Sequence, residues 1–120
     1  MSTKLRPLGC CEIPNDPTPL PAAVRERLVL AFKALGDPTR LDLFRLLAAQ
    51  DEPVCACDLV DRFAVSQPTI SHHLKVLREA GLITVSRRGV WAFYATDPRG
   101  LAPVIGALDA FVPTRLEVAG

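Results

Sequence analysis

Apolar residues recur at three- and four-residue intervals in five stretches of the chain and concentrate in two short β-branched or aromatic runs, which predicts five helices and one hairpin. Val24, Leu28, Ala31, Phe32 and Leu35 mark a first helix over residues 22–35, with Gly36 as its stop. Asp37-Pro38 then supplies an N-cap and a first-turn proline for a second. In that helix Leu41, Phe44, Leu47 and Ala48 share one face while Leu43 and Leu46 widen it, so it belongs at the centre of the core. A break at residues 50–53 leads into a short helix over residues 54–63 that ends near Ala64.

The fourth helix has the fullest set of local signals. Ser66 suits the N-cap, Pro68 the first turn and Gly81 a left-handed exit. Ile70, Leu74 and Leu77 form one buried stripe, so Pro68, Ser71, His72, Lys75 and Glu79 face the other way, with Gln67 and Thr69 at the N-terminal rim. The three-residue connection before Gln67 is the length found inside a helix-turn-helix. Residues 82–86 and 90–95 read as strands separated by a turn at Arg87-Arg88-Gly89, and a hairpin directly behind such a helix is a wing. Leu101, Val104, Ile105, Leu108, Phe111 and Val112 predict a closing helix over about residues 100–112, beginning close to Pro103.

These elements give a mainly α fold with a small β-hairpin, a winged helix-turn-helix over residues 22–112. The segment 1–21, with Pro7, Pro14, Pro17, Pro19 and Pro21, reads as a flexible arm, and residues 113–120 as a tail. With 49% of its 120 residues apolar, the chain can bury a core without staples. No apolar run reaches transmembrane length and no signal region opens the chain, so the expected location is the cytoplasm, where four cysteines remain thiols.

A net charge of +1 changes the picture only through its distribution. Lys75, Arg78, Arg87 and Arg88 stand against Glu79 alone in residues 65–90, whereas Asp51, Glu52, Asp58 and Asp61 lie together without a base. The basic stretch coincides with the fourth helix and the wing, which points to double-stranded DNA. Gln67 can pair bidentately with adenine, and Ser66, Thr69, Ser71 and His72 can meet bases or phosphates. Lys75, Arg87 and Arg88 suit phosphate contacts, and Arg88 at the wing tip could also enter the minor groove. His72 and His73 point about 100° apart on a helix and do not share a metal ion. No nucleophile with a paired base is evident, and cysteine spacings of zero and one do not fit a thiol reductase, so an enzyme is not expected.

Three runs, Phe32-Lys33-Ala34-Leu35-Gly36-Asp37-Pro38-Thr39-Arg40-Leu41, Val54-Cys55-Ala56-Cys57-Asp58-Leu59 and Ser66-Gln67-Pro68-Thr69-Ile70-Ser71-His72-His73-Leu74-Lys75, resemble the ArsR/SmtB metalloregulatory repressors. The resemblance covers roughly residues 22–112. It implies a homodimer built on the first and last helices, operator binding by the metal-free dimer, and release on binding a toxic metal or metalloid.

The thiols give that implication its chemistry. Cys10 and Cys11 have Cα atoms about 3.8 Å apart, too close for an ordinary disulfide but apt for two ligands on one soft ion. By resemblance, the vicinal pair joined by Cys55 looks like an arsenic-sensing variant, with Cys57 a fourth or spare thiol. The arm pair with both Cys55 and Cys57 looks like the cadmium and lead sensors. Arsenite and antimonite take three sulfur donors, while Cd(II) or Pb(II) can take four. The expected inducer is therefore As(III), with Sb(III), Cd(II) or Pb(II) as alternatives and no organic cofactor. The best-known arsenic sensors carry a third cysteine three residues further on, where this chain has Val60. The ten residues between Cys11 and Ala22 span up to about 33 Å, so the arm can reach Cys55 of either subunit, the partner being favoured by resemblance. A closing helix without histidine rules out the zinc site that relatives build there. A second regulatory chemistry is thiol oxidation between Cys55 or Cys57 and the arm.

Overall fold

The computed structural model describes residues 13–113. Five helices and three short strands follow one another as α1 (Ala22–Leu35), α2 (Pro38–Ala48), β1 (Val54–Cys55), α3 (Ala56–Phe63), α4 (Gln67–Glu79), β2 (Ile83–Arg88), β3 (Trp91–Thr96) and α5 (Pro98–Ala110). The strands form one antiparallel sheet in the order β1-β3-β2. The fold is mainly α with a small sheet, a helix-turn-helix of α3 and α4 followed by a β2–β3 wing. Residues 13–21 are exposed and contain neither helix nor strand.

Local chemistry sets most of the boundaries. Asp37 accepts from the Arg40 amide at 3.0 Å and caps α2, with Pro38 in the first turn. The same Asp37-Pro38 step ends α1, because a residue before proline is pushed out of the helical region. Gly36 itself keeps a right-handed conformation, so it is not the left-handed stop that a glycine there suggests. Ala64 takes up the left-handed position that closes α3, at φ 54°.

One core joins the elements. Leu28, Ala31 and Ala34 from α1, Leu43 and Leu47 from α2, and Leu59 from α3 meet Ile70, Leu74 and Leu77 of α4, Leu82, Ile83 and Val104. Each fully buried leucine or isoleucine contributes roughly 1.5–3 kcal/mol relative to exposure. The buried face of α2 is thus the Leu43–Leu47 line, and Leu41 and Ala48, expected inside, are exposed. The broad apolar surface of α2 left two faces open to choice, and packing against α4 and β3 selected one.

Three other expectations change. Val54 and Cys55 form a strand paired to Tyr94 and Phe93, so Cys55 stands before the helix rather than within it. The wing turn is Gly89-Val90, and Arg87 and Arg88 are strand residues opposite Ala92 and Trp91. Gly89 at φ 63° supplies the positive dihedral that a two-residue hairpin loop of type II′ requires at its first position. Finally, α5 starts at Pro98 under an Asp97 cap, with Pro103 inside the helix. The Asp97 side chain accepts from the Arg99 amide at 3.0 Å, and the cap with its own first-turn proline sets the start despite the bond lost at Pro103.

The join between wing and α5 is tight. The Asp97 amide donates to the Leu82 carbonyl at 2.9 Å, and a Cβ placed on Gly100 would lie 1.6 Å from the Gly81 carbonyl oxygen. Only glycine lets the first turn of α5 rest on the exit of α4. Gly100→Ala is therefore expected to destabilise the fold by about 1–3 kcal/mol through forced backbone displacement. Urea unfolding checks this, and an unchanged midpoint would mean the helices separate freely.

Candidate nucleic-acid interface and thiol cleft

The stripe Ile70, Leu74 and Leu77 is buried in the core, so α4 presents its opposite side to solvent. Gln67, Thr69, Ser71, His72, Lys75 and Arg78 are all exposed along a helix of 13 residues, about 20 Å long. Its N-terminus is closed by two hydroxyls. Ser66 Oγ accepts from the Thr69 amide at 3.3 Å and lies 2.8 Å from Thr69 Oγ1. Ser66 and Thr69 thus first organise the helix end, while Gln67, Ser71, His72, Lys75 and Arg78 stand exposed beyond it. A helix N-terminus of this kind also suits phosphate oxygens, through its unpaired amides and positive dipole end.

The wing extends this polar surface. Arg87 and Arg88 are exposed, and the Arg88 guanidinium stands 4.6 Å over the Phe93 ring, a cation–π contact that orients it. Arg88 therefore leaves from the strand end, one residue before the turn. At the tip itself stand Gly89 and the exposed Val90.

Between α4 and the wing lies a cleft of about 310 Å³ lined by Cys55 and Cys57 together with Gln67, Ser71, Arg87, Val90, Trp91 and Tyr94. Cys55 is buried and caps α3, its Sγ accepting from the Cys57 amide at 3.4 Å. Cys57 is exposed, with its Sγ 4.0 Å from Asp58 Oδ1. The Cys57 thiol is held above its ordinary value of 9.0, first by its hydrogen bond with Cys55, then by desolvation and by the nearby charges of Cys55 and Asp58. At neutral pH it keeps its proton, so a soft ion bound there must displace it. Among the described residues no group of three His, Cys, Asp or Glu side chains could hold a metal ion. Cys10 and Cys11 lie outside the described residues.

A second polar link ties the exposed helix to the core. Arg40 Nε donates to the Ala34 carbonyl at 2.8 Å and Nη2 to the Lys33 carbonyl at 3.4 Å, while Nη1 lies 3.4 Å from His73 Nδ1. His73 beside a guanidinium must accept, so its proton sits on Nε2. This bridge from the end of α1 to α4 was not legible in the sequence, because a helix pattern places His73 near the stripe without naming its partner. The cleft was missed for the same reason, since its walls come from β1, α3, α4 and the wing.

Residues 37–85 match the bacterial regulatory protein, arsR family. An uncharacterized HTH-type transcriptional regulator of Methanocaldococcus jannaschii is 45% identical over 84 residues, 70% of this chain and 93% of that protein. The chain belongs to the arsR family. The arsenical resistance operon repressor of Escherichia coli is 45% identical over 67 residues, 56% of this chain and 56% of the repressor, so little more than half of that protein is matched. The crystal structure of a possible transcriptional regulator for arsenical resistance superposes with a TM-score of 0.59 at 36% identity, covering 68% of this chain and 82% of that one. This arsR-family chain is accordingly a transcriptional regulator and not an enzyme. Among the described residues no helix is long and apolar enough to cross a membrane.

The His73 bridge makes a pH prediction for this arsR-family regulator. Burial pushes the imidazole below its ordinary value of 6.5, Asp37 pulls the other way, and Arg40 and His72 add to the depression. The folded chain then binds this proton less readily than the unfolded one, so the stabilisation is present above pH 6.5 and is lost as pH falls through the depressed folded value. Urea unfolding at about pH 7.5 and 5.5 should show a larger acid loss for wild type than for His73→Gln, and equal losses would remove His73 from the effect.

Proposed function

We propose that the chain is an As(III)-responsive transcriptional repressor that binds operator DNA as an apo homodimer and leaves it when arsenite, or antimonite, is bound by cysteine thiolates. The observation that carries the reading is the cleft in which Cys55 and Cys57 stand against Gln67, Ser71 and Arg87. A ligand gripped by these sulfurs touches the same side chains that would meet DNA. The names of the arsenical resistance repressors that match the chain support the choice of metalloid.

In this reading Gln67 reads a base edge, Ser71 and His72 meet bases or phosphates, and Ser66 and Thr69 present the helix end to the backbone. Lys75, Arg87 and Arg88 neutralise phosphates. Two copies pair through α1 and α5, which pack on one another and leave Val29, Leu30, Ile105, Leu108 and Phe111 exposed. An apolar surface of that kind on a water-facing helix pair favours a partner. The operator is then an imperfect palindrome with half-sites about one helical turn or a multiple apart, and the protein works in the cytoplasm.

Cys10, Cys11 and Cys55 supply the three sulfurs that As(III) requires, the arm reaching from the partner subunit. The place of Cys55 and Cys57 in one cleft, with the Cys57 amide donating to Cys55 Sγ, favours a second reading, a four-thiolate site for Cd(II) or Pb(II). Titrating each ion against an operator fragment separates the two. Cys10→Ser, Cys11→Ser and Cys55→Ser should bind DNA normally and lose release by As(III), while Cys57→Ser responds nearly as wild type. Operator binding that ignores stoichiometric As(III) in the wild type would sink the proposal.

On the DNA side, Gln67→Ala should cost about 1–3 kcal/mol at one operator position and relax its sequence preference. Lys75→Ala should weaken all sequences alike and lower the salt slope by about one. Competition with half-site variants at several salt concentrations measures both, and a uniform loss for Gln67→Ala would remove it from base reading.

A further inference from the structure

The buried stripe of Ile70, Leu74 and Leu77 decides which side of α4 faces inward, but apolar contacts are non-directional and leave small rolls of the helix nearly free. A hydrogen bond is directional and removes that freedom. Among the described residues, the one side-chain hydrogen bond from α4 to another helix runs between His73 and Arg40. Arg40 is itself fixed before it reaches α4. Its amide donates to Asp37 in the α2 cap at 3.0 Å, its Nε to the Ala34 carbonyl at 2.8 Å and its Nη2 to the Lys33 carbonyl at 3.4 Å. Two acceptors at the C-terminal end of α1 therefore orient the guanidinium plane, where the negative end of the helix dipole also favours a cation. The remaining arm of the fork, Nη1, lies 3.4 Å from His73 Nδ1. Both side chains are half-buried, and His73 sits in the sequence between the exposed His72 and Lys75. At the exit of the same helix α1 makes a second approach, since a Cβ on Gly81 would lie 3.3 Å from Arg27 Nη2.

We propose that Arg40 is a positioning residue for DNA reading, which sets the roll of α4 against α1 through His73 and so the angle at which Gln67, Ser71 and His72 are presented. This rests on the reading of α4 as the recognition helix and adds two residues that touch no DNA. Arginine is required because its planar fork offers Nε and both terminal nitrogens at fixed angles to three acceptors, whereas lysine keeps the charge and loses the fork. His73 must accept through Nδ1, so a side chain with an acceptor at the same place can stand in for it and an apolar one cannot. Because α1 also carries Val29 and Leu30 of the apolar face proposed to pair two copies, the same bridge relates each reading helix to the dimer.

The test uses the full-length protein and a DNA duplex enriched by the wild type from a random pool. Arg40→Lys and His73→Leu should each weaken binding of that duplex about tenfold, the loss expected for a hydrogen bond to a charged group. His73→Asn, whose Oδ1 accepts where Nδ1 did, should stay within about threefold of wild type. The double variant Arg40→Lys/His73→Leu should lose no more than about twofold beyond either single change, since both remove one interaction. Arg40→Met should weaken binding without altering its salt dependence, and a slope shallower by about one would make Arg40 a phosphate contact and overturn the inference. Urea unfolding and titration of the active fraction separate positioning from stability: a lowered midpoint with wild-type affinity in the folded protein overturns it as well. Should Arg40→Lys not fold, His73→Leu against His73→Asn carries the test, and equal affinities for those two overturn it. If the wild type enriches no duplex, the reading of α4 as a recognition helix fails; if it does and the variants bind as tightly, only the role of Arg40 fails.

Discussion

The burial of Ile70, Leu74 and Leu77 fixes the rotation of α4 about its own axis, and the exposed surface follows from that rotation. Successive helical residues are about 100° apart, so a shift of one position would carry Ser71 into the core and Ile70 into water. The stripe is completely enclosed by α1, α2, α3 and the first residues of β2, which makes the alternative rotation costly by several buried side chains. What the chain can offer DNA is thus decided by what it must hide from water. The cap at Ser66 and the left-handed exit at Gly81 then fix where that face begins and ends.

Local signals of this kind are what a sequence shows. The caps at Asp37 and Ser66, the stripe of α4 and the left-handed Gly81 all depend on residues within a few positions of one another, and each is found where the pattern puts it. Other features depend on distant partners. Val54 and Cys55 become a strand because β3 has a free edge beside Tyr94 and Phe93, some forty residues on, and two residues carry too little pattern to announce it. Leu41 is outside and Leu43 inside for a similar reason, since an apolar residue on each side of α2 leaves the choice to its neighbours. Pro103 misled in the opposite way, as a strong local breaker overruled by the stronger start at Asp97-Pro98.

The candidate site divides along the same line. The residues proposed to face DNA lie on one helix and one hairpin, so periodicity groups them. The cleft is assembled from β1, α3, α4 and the wing, and the roles of Trp91 and Tyr94 in it emerge only when the sheet is formed. Cys55 is the point where the two meet. Motif reading picks it out as a thiol, but its burial, its capping bond to Cys57 and its place behind the wing are tertiary facts.

This placement bears on how a thiol ligand would act on DNA binding. One route is long: the exit of α4 at Gly81 rests on Gly100, the Leu82 carbonyl holds the Asp97 amide, and α5 carries the apolar face proposed for dimerisation. Displacing α4 would therefore press on α5 and alter the spacing of two reading heads. The other route is short, because Gln67, Ser71 and Arg87 line the same cleft as the sulfurs. Coupling requires only that the ligand bind one state better than the other, and the two directions of coupling are then equal by linkage. In the short route that difference would arise at once, since a filled cleft and the DNA contacts proposed for Gln67, Ser71 and Arg87 would make competing demands on the same side chains. No bistable element elsewhere in the fold is needed, and the tight backbone contact between Gly81 and Gly100 makes the long route a consequence of the short one rather than its cause.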